Sequence, residues 1–469
     1  MSNHTSTLLG RALILLLLVV VGAVVAARTI GVRLEVDGSG IRPMLSRFNE
    51  DAHFDALESD RTERGPSAPT TAGRTVSSAS ADRRPESFWP AYRGATQTGR
   101  YDHPITTDWP DDGLPRRWHH PIGGGYASFV VAEGRLFTIE QRRAREVVAA
   151  YDPNSGVELW THEWDEQFQE TMGGDGPRAT PTWDDGRLFA LGAGGELRSL
   201  AADTGRLLWR TNILKDAGAG NLTWAMSASP LVVDNMVVVL PGGRAGRSVV
   251  AYDADTGDTL WTTLDDVAGY TAPMLVELAG VRQVLVVTAA RAAGLRVEDG
   301  TLLWDYPWVV SNVPNMAQPI VVGPNRLFIS ASYGQGSAMV EVTGTGDGLA
   351  AREVWRTNRM KNKFSSSVLH EGFIYGLDDN ILACLDAKTG ELVWKGGRYG
   401  YGQLLFSNGH LVVLTERGDV VLVRATPEGH DEVARFPALA GKTWNVPTIA
   451  DGTLFVRNAT EMAAFDIRP

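Results

Sequence analysis

Few residue groups in the 469-residue chain could do chemistry. His119 and His120 follow Trp118 directly. Two imidazoles can share a metal, but neighbours on a strand point to opposite faces, so this pair reads as polar strand residues near a rim. Gly441-Lys442-Thr443 matches the end of a phosphate-binding loop. That motif needs a glycine where Phe436 stands and a helix afterwards, and here a strand pattern follows. Gly123-Gly124-Gly125 could cup an anion, yet it too leads into a strand and reads as a crossing loop. The one cysteine, Cys384, lies in the apolar run Ile381-Leu382-Ala383-Cys384-Leu385 and reads as a packing thiol. A lone cysteine excludes an intrachain disulfide and a cysteine-rich metal site. Neither a Gly-x-Ser-x-Gly elbow nor His-Glu-x-x-His occurs. Asp152, Asp253, Asp255 and Asp386 all fall in glycine turns, where a carboxylate caps the turn backbone.

Those turns belong to a repeat. Ala251-Tyr252-Asp253-Ala254-Asp255-Thr256-Gly257 runs on to Trp261, and versions recur before Trp160, Trp209, Trp304 and Trp394. Each reads strand, tight turn, strand, with glycine where φ must be positive. Trp118, Trp160, Trp209, Trp261, Trp304, Trp355 and Trp394 hold the same place, and Phe436 is a degenerate eighth. Their steps of 39 to 52 residues suit one four-stranded propeller blade each. A second hairpin signal, clearest at residues 179–189, interleaves with the first and occurs eight times. The expected fold is therefore all-β, an eight-bladed β-propeller. The last inner hairpin, near 446–456, is followed by a single strand, and the strand at Trp118 precedes any inner hairpin. Pairing these two spare strands would remove two sheet edges and close the ring.

In a propeller, the positions just before each inner strand lie beside the central channel. Here they are Tyr126, Arg178, Trp224, Tyr270, Asn315, Lys363, Tyr401 and Trp444. Aromatic and arginine side chains dominate binding hot spots, so these eight are the candidate partner-binding ring. The competing reading is that they fill the taper of the channel. Glycine-rich insertions at 171–176 and 216–221 are further candidate contact loops.

The net charge of −11 gives no electrostatic support for a nucleic-acid partner. Residues 12–27 are uncharged between Arg11 and Arg28. That run is long for a signal-peptide core and close to a membrane span, so residues 1–30 are expected to form a signal anchor in the inner membrane. Residues 31–88 are expected to be a flexible linker. Residues 89–469 are then the propeller.

The repeat Ala/Leu-x-Asp-x-x-Thr-Gly-x-x-x-Trp resembles the pyrroloquinoline-quinone-type repeat of eight-bladed propellers, from Trp89 onward. Trp89-Pro90-Ala91-Tyr92-Arg93-Gly94 resembles the opening of many exported bacterial members. The family includes quinoprotein dehydrogenases and non-enzymatic scaffolds of the BamB type. The resemblance implies that the repeated tryptophans dock between blades and that the body lies outside the cytoplasm, with the linker at 31–88 and the propeller in the periplasm. It also implies a monomeric, membrane-tethered protein-binding scaffold with no cofactor. The alternative is an oxidoreductase or small-ligand sensor holding the quinone with calcium in the channel. The dehydrogenases cover the quinone with two adjacent cysteines, which this chain lacks.

Overall fold

The computed structural model describes residues 32–65, 87–310, 313–346 and 348–469. The expected anchor at 1–30 lies outside the described residues. Among the described residues, no helix is long and apolar enough to cross a membrane. Eight antiparallel sheets follow one another around a ring. Blades 1 to 7 span 130–165, 182–212, 231–263, 274–307, 320–357, 368–398 and 403–437. Blade 8 takes three strands from 448–466 and its outermost strand, Arg116–Pro121, from the other end of the propeller sequence. That strand pairs Trp118 with Ala464 and His119 with Ala463, which is the expected closure.

Every blade carries a register shift between its third and fourth strands. In seven blades it falls beside the residue opposite the repeat tryptophan: Ala150, Ser199, Ala251, Gly294, Met339, Cys384 and Ala464. A bulge bends the strand and re-aims a side chain. Here it turns each indole out of its own sheet toward the next blade. Trp209 Nε1 donates to Ala254 O at 2.8 Å, Trp261 to Val297 O at 3.1 Å and Trp394 to Thr426 O at 2.8 Å. Trp118, Trp160 and Trp355 do the same to Pro153, Ala202 and Ala387. Each acceptor belongs to the following blade. The turn glycine there lies under the indole, so a Cβ on Gly205, Gly257, Gly300 or Gly390 would strike Trp160, Trp209, Trp261 or Trp355. These glycines also have φ near +70° to +78°. Shape and backbone conformation therefore both select glycine.

Two blades depart from the pattern. Trp304 Nε1 donates instead to the Gln283 side chain of its own blade, at 2.5 Å. The next blade has replaced its tight turn with a long hairpin, Gly336–Thr345 paired with Gly348–Thr357, so the usual carbonyl is not presented. In blade 7 the register puts Ala434, not Phe436, at the tryptophan position, opposite Leu422 at the shift. Phe436 lies two residues along on the same face. It fills the slot from there, edge-on to Phe465 at 4.9 Å and to Trp109 at 5.6 Å.

Residues 32–65, expected as part of a linker, are structured. Val32–Val36 and Pro43–Arg47 form a hairpin, and α1 (Glu50–Arg64) follows. Asn49 caps the helix by accepting from Ala52 N at 3.1 Å. Glu50 and Asp51 sit in the first turn and Arg61 and Arg64 in the last, matching the helix dipole. Phe54 and Leu57 are buried against the propeller. Arg61 pairs with Glu158, Arg143 pairs with Asp51 and Asp55, and His53 Nε2 lies 2.9 Å from Ile122 O. The helix thus clasps the seam where blades 8 and 1 meet. An apolar face of only two residues carries too little periodicity to be read from sequence.

Two outcomes test this packing. Trp261→Ala should lower stability by about 3–5 kcal/mol in urea unfolding, as for other buried aromatics; a loss below ~1 kcal/mol would show that the indole is not a wedge. The second concerns Glu146, buried between blades 1 and 2 with Oε1 accepting from Ala193 N at 2.8 Å. Burial pushes its carboxyl up to about 8. The folded state then keeps a proton that the unfolded chain has released, so stability falls as pH rises from about 4.5 toward 8. Glu146→Gln should flatten that slope and raise stability at pH 8 by roughly 1–3 kcal/mol. Parallel pH–urea curves for the two proteins would contradict it.

Candidate functional site in the channel

A belt of hydrogen bonds joins the inner strands around the channel. Thr182 Oγ1 donates to Pro230 O at 2.6 Å, and Gln318 Nε2 to Ala272 O at 2.9 Å. Asn445 Nδ2 donates to Gly125 O and Ala127 O, and Thr448 Oγ1 to Phe129 O. These bonds tie blade 2 to blade 3, blade 5 to blade 4 and blade 8 to blade 1 beside the channel.

One end of the channel is filled by the segment that carries the Trp-Pro-x-x-Arg-Gly signature. Trp89 bridges to Val131 of blade 1, and Trp183 N of blade 2 donates to Pro90 O. Gln97 Nε2 reaches Pro273 O beside blade 4. Arg93 is buried and, among the described residues, has no carboxylate partner. It donates instead to three carbonyls, Leu404 O, Thr98 O and Ser367 O, at 3.3, 3.1 and 3.0 Å. Arg100–Tyr101 then pairs in parallel with Gln403–Ser407 of blade 7. The segment touches blades on opposite sides of the ring and closes this lower end.

The candidate ring lies at the other, upper end, and the structure draws most of it together. Tyr126 and Trp444 pack with centroids 5.4 Å apart, and Phe364 joins Trp444 at 4.6 Å and Tyr401 at 5.9 Å. Arg178 lies over Tyr126 at 5.2 Å, and Lys363 over Tyr401 at 5.1 Å. Trp224 and Tyr270 form a separate pair at 5.8 Å, joined by the Trp224 amide donating to Tyr270 Oη. Asn315 does not reach the surface: it is 2% exposed, its amide donates to Thr271, and its carbonyl holds Tyr270 N. Burial lowers the basicity of Arg178 and Lys363 and pushes the Tyr401 phenol up to about 12.

Sequence reading missed Phe364, Lys442, Tyr333 and Glu416. Lys442 covers Trp444 at 4.5 Å and Lys363 covers Tyr333 at 4.9 Å. The buried Glu416 accepts from Trp444 Nε1 at 2.9 Å and Tyr401 N at 3.2 Å. It sits in a turn between the second and third strands of blade 7. Only closure of the ring brings such turns to the channel mouth, so no linear signal marks it.

The other motifs resolve as follows. His119 and His120 do face apart: His119 meets Glu461 at 2.6 Å, and the buried His120 stacks on Trp118 at 5.4 Å. Asp152, Asp253 and Asp386 each accept from the amides two and three residues on. Asp255 instead pairs with Arg187 of the preceding blade, at 2.5 Å. Thr171-Met172-Gly173-Gly174 folds over Arg178, which donates to Gly174 O at 2.8 Å. Residues 216–221 take in the end of a short helix, α2 (Ile213–Ala217), and its cap, Gly218.

The family model for outer membrane protein assembly factor BamB matches residues 144–396, more than half of the chain. The chain belongs to this family. The BamB of Moranella endobia (strain PCIT) is 26% identical over 260 residues, 52% of this chain and 64% of its own. The match thus spans just under two thirds of that relative. Two solved structures share the fold. BamB from Moraxella catarrhalis has a TM-score of 0.54 at 16% identity, covering 76% of this chain and 98% of that one. Quinohemoprotein alcohol dehydrogenase from Comamonas testosteroni has 0.58 at 14%, covering 82% and 81%.

A quinone with calcium would need a cap over the ring system and an oxygen-rich ligand set. Among the described residues of this BamB-family chain, the channel mouth has neither a cysteine cap nor a cluster of carboxylates. Cys384 is buried in the third strand of blade 6, its thiol pushed up to about 12 by burial, away from the channel mouth. Among the described residues, no three His, Cys, Asp or Glu side chains converge as a metal site. Glu416, the buried carboxylate at the mouth, is engaged by N–H donors. The residues present do not fit the group.

Arg93→Ala should remove the donor to three buried carbonyls and loosen the plug. The expected loss is about 2–4 kcal/mol in urea unfolding, from unpaired buried acceptors. An unchanged midpoint would show that the segment is not an integral part of the channel.

Proposed function

We propose that this protein is a non-catalytic propeller of the cell envelope that binds a protein partner through its upper face. Residues 12–27 tether it to the inner membrane and the propeller faces the periplasm. The observation that carries this reading is the make-up of that face. Tyr126, Arg178, Trp224, Phe364 and Trp444 form a half-exposed aromatic and cationic mouth. The loops around it expose Met172, Val267, Val309 and Tyr333 at 50, 57, 60 and 42%. Exposed apolar side chains gathered around aromatic and arginine anchors mark a protein-binding surface. With the lower end filled by residues 89–97, a partner has access to the mouth from one side only. The family's description, outer membrane protein assembly factor, supports an envelope setting and an assembly role.

Photo-crosslinking in living cells tests this reading. A crosslinking residue at Met172, Val309 or Tyr333 should give protein adducts, and one at Thr204, in a turn of the lower face, should give none. Replacing Arg178, Trp224 and Tyr270 together by alanine should cut adduct yield at least tenfold while the circular-dichroism spectrum stays that of a folded propeller. Equal adducts from both faces, or undiminished capture by the triple variant, would sink the proposal.

A further inference from the structure

The upper mouth is not empty. The turn of the N-terminal hairpin, residues 37–42, reaches into it between blades 6 and 7. Gly38 N donates to Glu416 Oε1 at 2.6 Å, and Lys363 Nζ donates to Gly38 O. Gly38 is buried, and its Cα lies against the Tyr401 ring so closely that any Cβ would strike Tyr401 Cβ and the ring. The turn holds its own shape: Ser39 N donates to Asp37 Oδ1 at 3.0 Å, and Gly40 N to Asp37 O at 2.9 Å. Burial opposes the charged form of Lys363, and the carboxylates of Asp379 and Asp37 both favour it.

The pocket therefore has an acceptor for one amide, a donor for the adjoining carbonyl, and an aromatic wall that leaves room for no side chain. Such a set of groups recognises backbone, and it selects glycine sterically. Glu416 and Lys363 have further neighbours in Trp444, Tyr401 and Tyr333, so the pocket walls are fixed by the propeller and not by the hairpin. The hairpin is joined to α1, which is packed on the seam of blades 8 and 1, and this holds the tip beside the mouth.

We propose that the pocket formed by Lys363, Tyr401 and Glu416 is a receptor for a tight glycine turn with an acidic flank. The chain's own Asp37-Gly38-Ser39-Gly40 tip is its resident occupant, and a partner protein enters by presenting a turn of the same chemistry. This deepens the scaffold reading by naming what the mouth recognises. A tethered tip competes at an effective concentration on the order of millimolar, so a foreign turn must match it closely or arrive on a surface that also engages the loops around the mouth.

The test uses the full chain, purified in detergent, and a fluorescent cyclic peptide of residues 32–47. In the Gly38→Val protein the added Cβ should expel the tip and vacate the pocket. The peptide should then bind by fluorescence polarisation at least tenfold more tightly than to the wild-type chain. A peptide carrying Gly38→Val should bind the same protein at least tenfold more weakly, and Lys363→Met with Glu416→Gln should abolish binding. Hydrogen exchange on the wild-type chain provides a second measurement. Millimolar peptide should accelerate exchange at residues 36–44 without changing the blade strands. Equal binding to wild type and Gly38→Val, indifference to the peptide's glycine, or unaltered exchange would overturn the proposal. A wild-type dimer that the peptide dissociates would assign the pocket to a second copy's hairpin and likewise overturn entry by a foreign turn. These readouts concern the pocket alone, so they stand or fall whatever the photo-crosslinks from the upper face show.

Discussion

The indole laid across a blade boundary, with a glycine turn beneath it, is the contact on which the rest of the structure depends. A four-stranded sheet of this size cannot bury both faces by itself. Each blade becomes stable by covering its neighbour, and the tryptophan covers the widest part of the gap. The register shift in the outer strand pair aims the ring, the next blade's carbonyl accepts its N–H, and the missing Cβ leaves room for it. One of these features without the other two would leave a void, an unpaired donor or a clash. Where the sequence departs from the pattern, the slot is still filled. Gln283 takes the Trp304 N–H, and Phe436 with Trp109 fills the place that Ala434 leaves open.

A closed ring turns eight weak units into one rigid frame, and the frame sets what its ends can do. At the lower end, the channel is filled by backbone and by Arg93, whose charge is met only by carbonyl dipoles. Such an arrangement tolerates little movement, because every displacement leaves buried acceptors unpaired. At the upper end, the loops pack on one another and on the hairpin tip while leaving several side chains exposed. They carry aromatic rings, three half-buried cations and exposed apolar side chains. The division between a fixed end and an adaptable end suits a scaffold, in which stability and recognition act on different residues.

Quinohemoprotein alcohol dehydrogenase shares the propeller fold with this chain. A shared propeller specifies where a site would be, not what it does. Here the mouth holds one buried carboxylate committed to N–H donors, and the lone cysteine packs in a blade core.

The sequence by itself determined the repeat, the eight blades, the inter-blade role of the tryptophans and the closure by the strand at Trp118. These follow from local rules: glycine where φ is positive, alternation where one face is buried, a flat side chain at a fixed step. Seven of the eight lead-in residues also reach the channel mouth by this periodicity alone. Only the tertiary structure decided that Asn315 is buried, that Asp255 serves Arg187 across a blade boundary, and that Glu416 and Lys442 share the mouth. It also decided that Gly38 sits against Tyr401, 363 residues away in sequence order. Those residues lie in loops with no period, and their neighbours come from blades far apart in the chain. The helix at Glu50–Arg64 shows the same limit from the other side. Its two buried side chains have meaning only against the seam they cover, and that seam exists only once the first strand and the last have met.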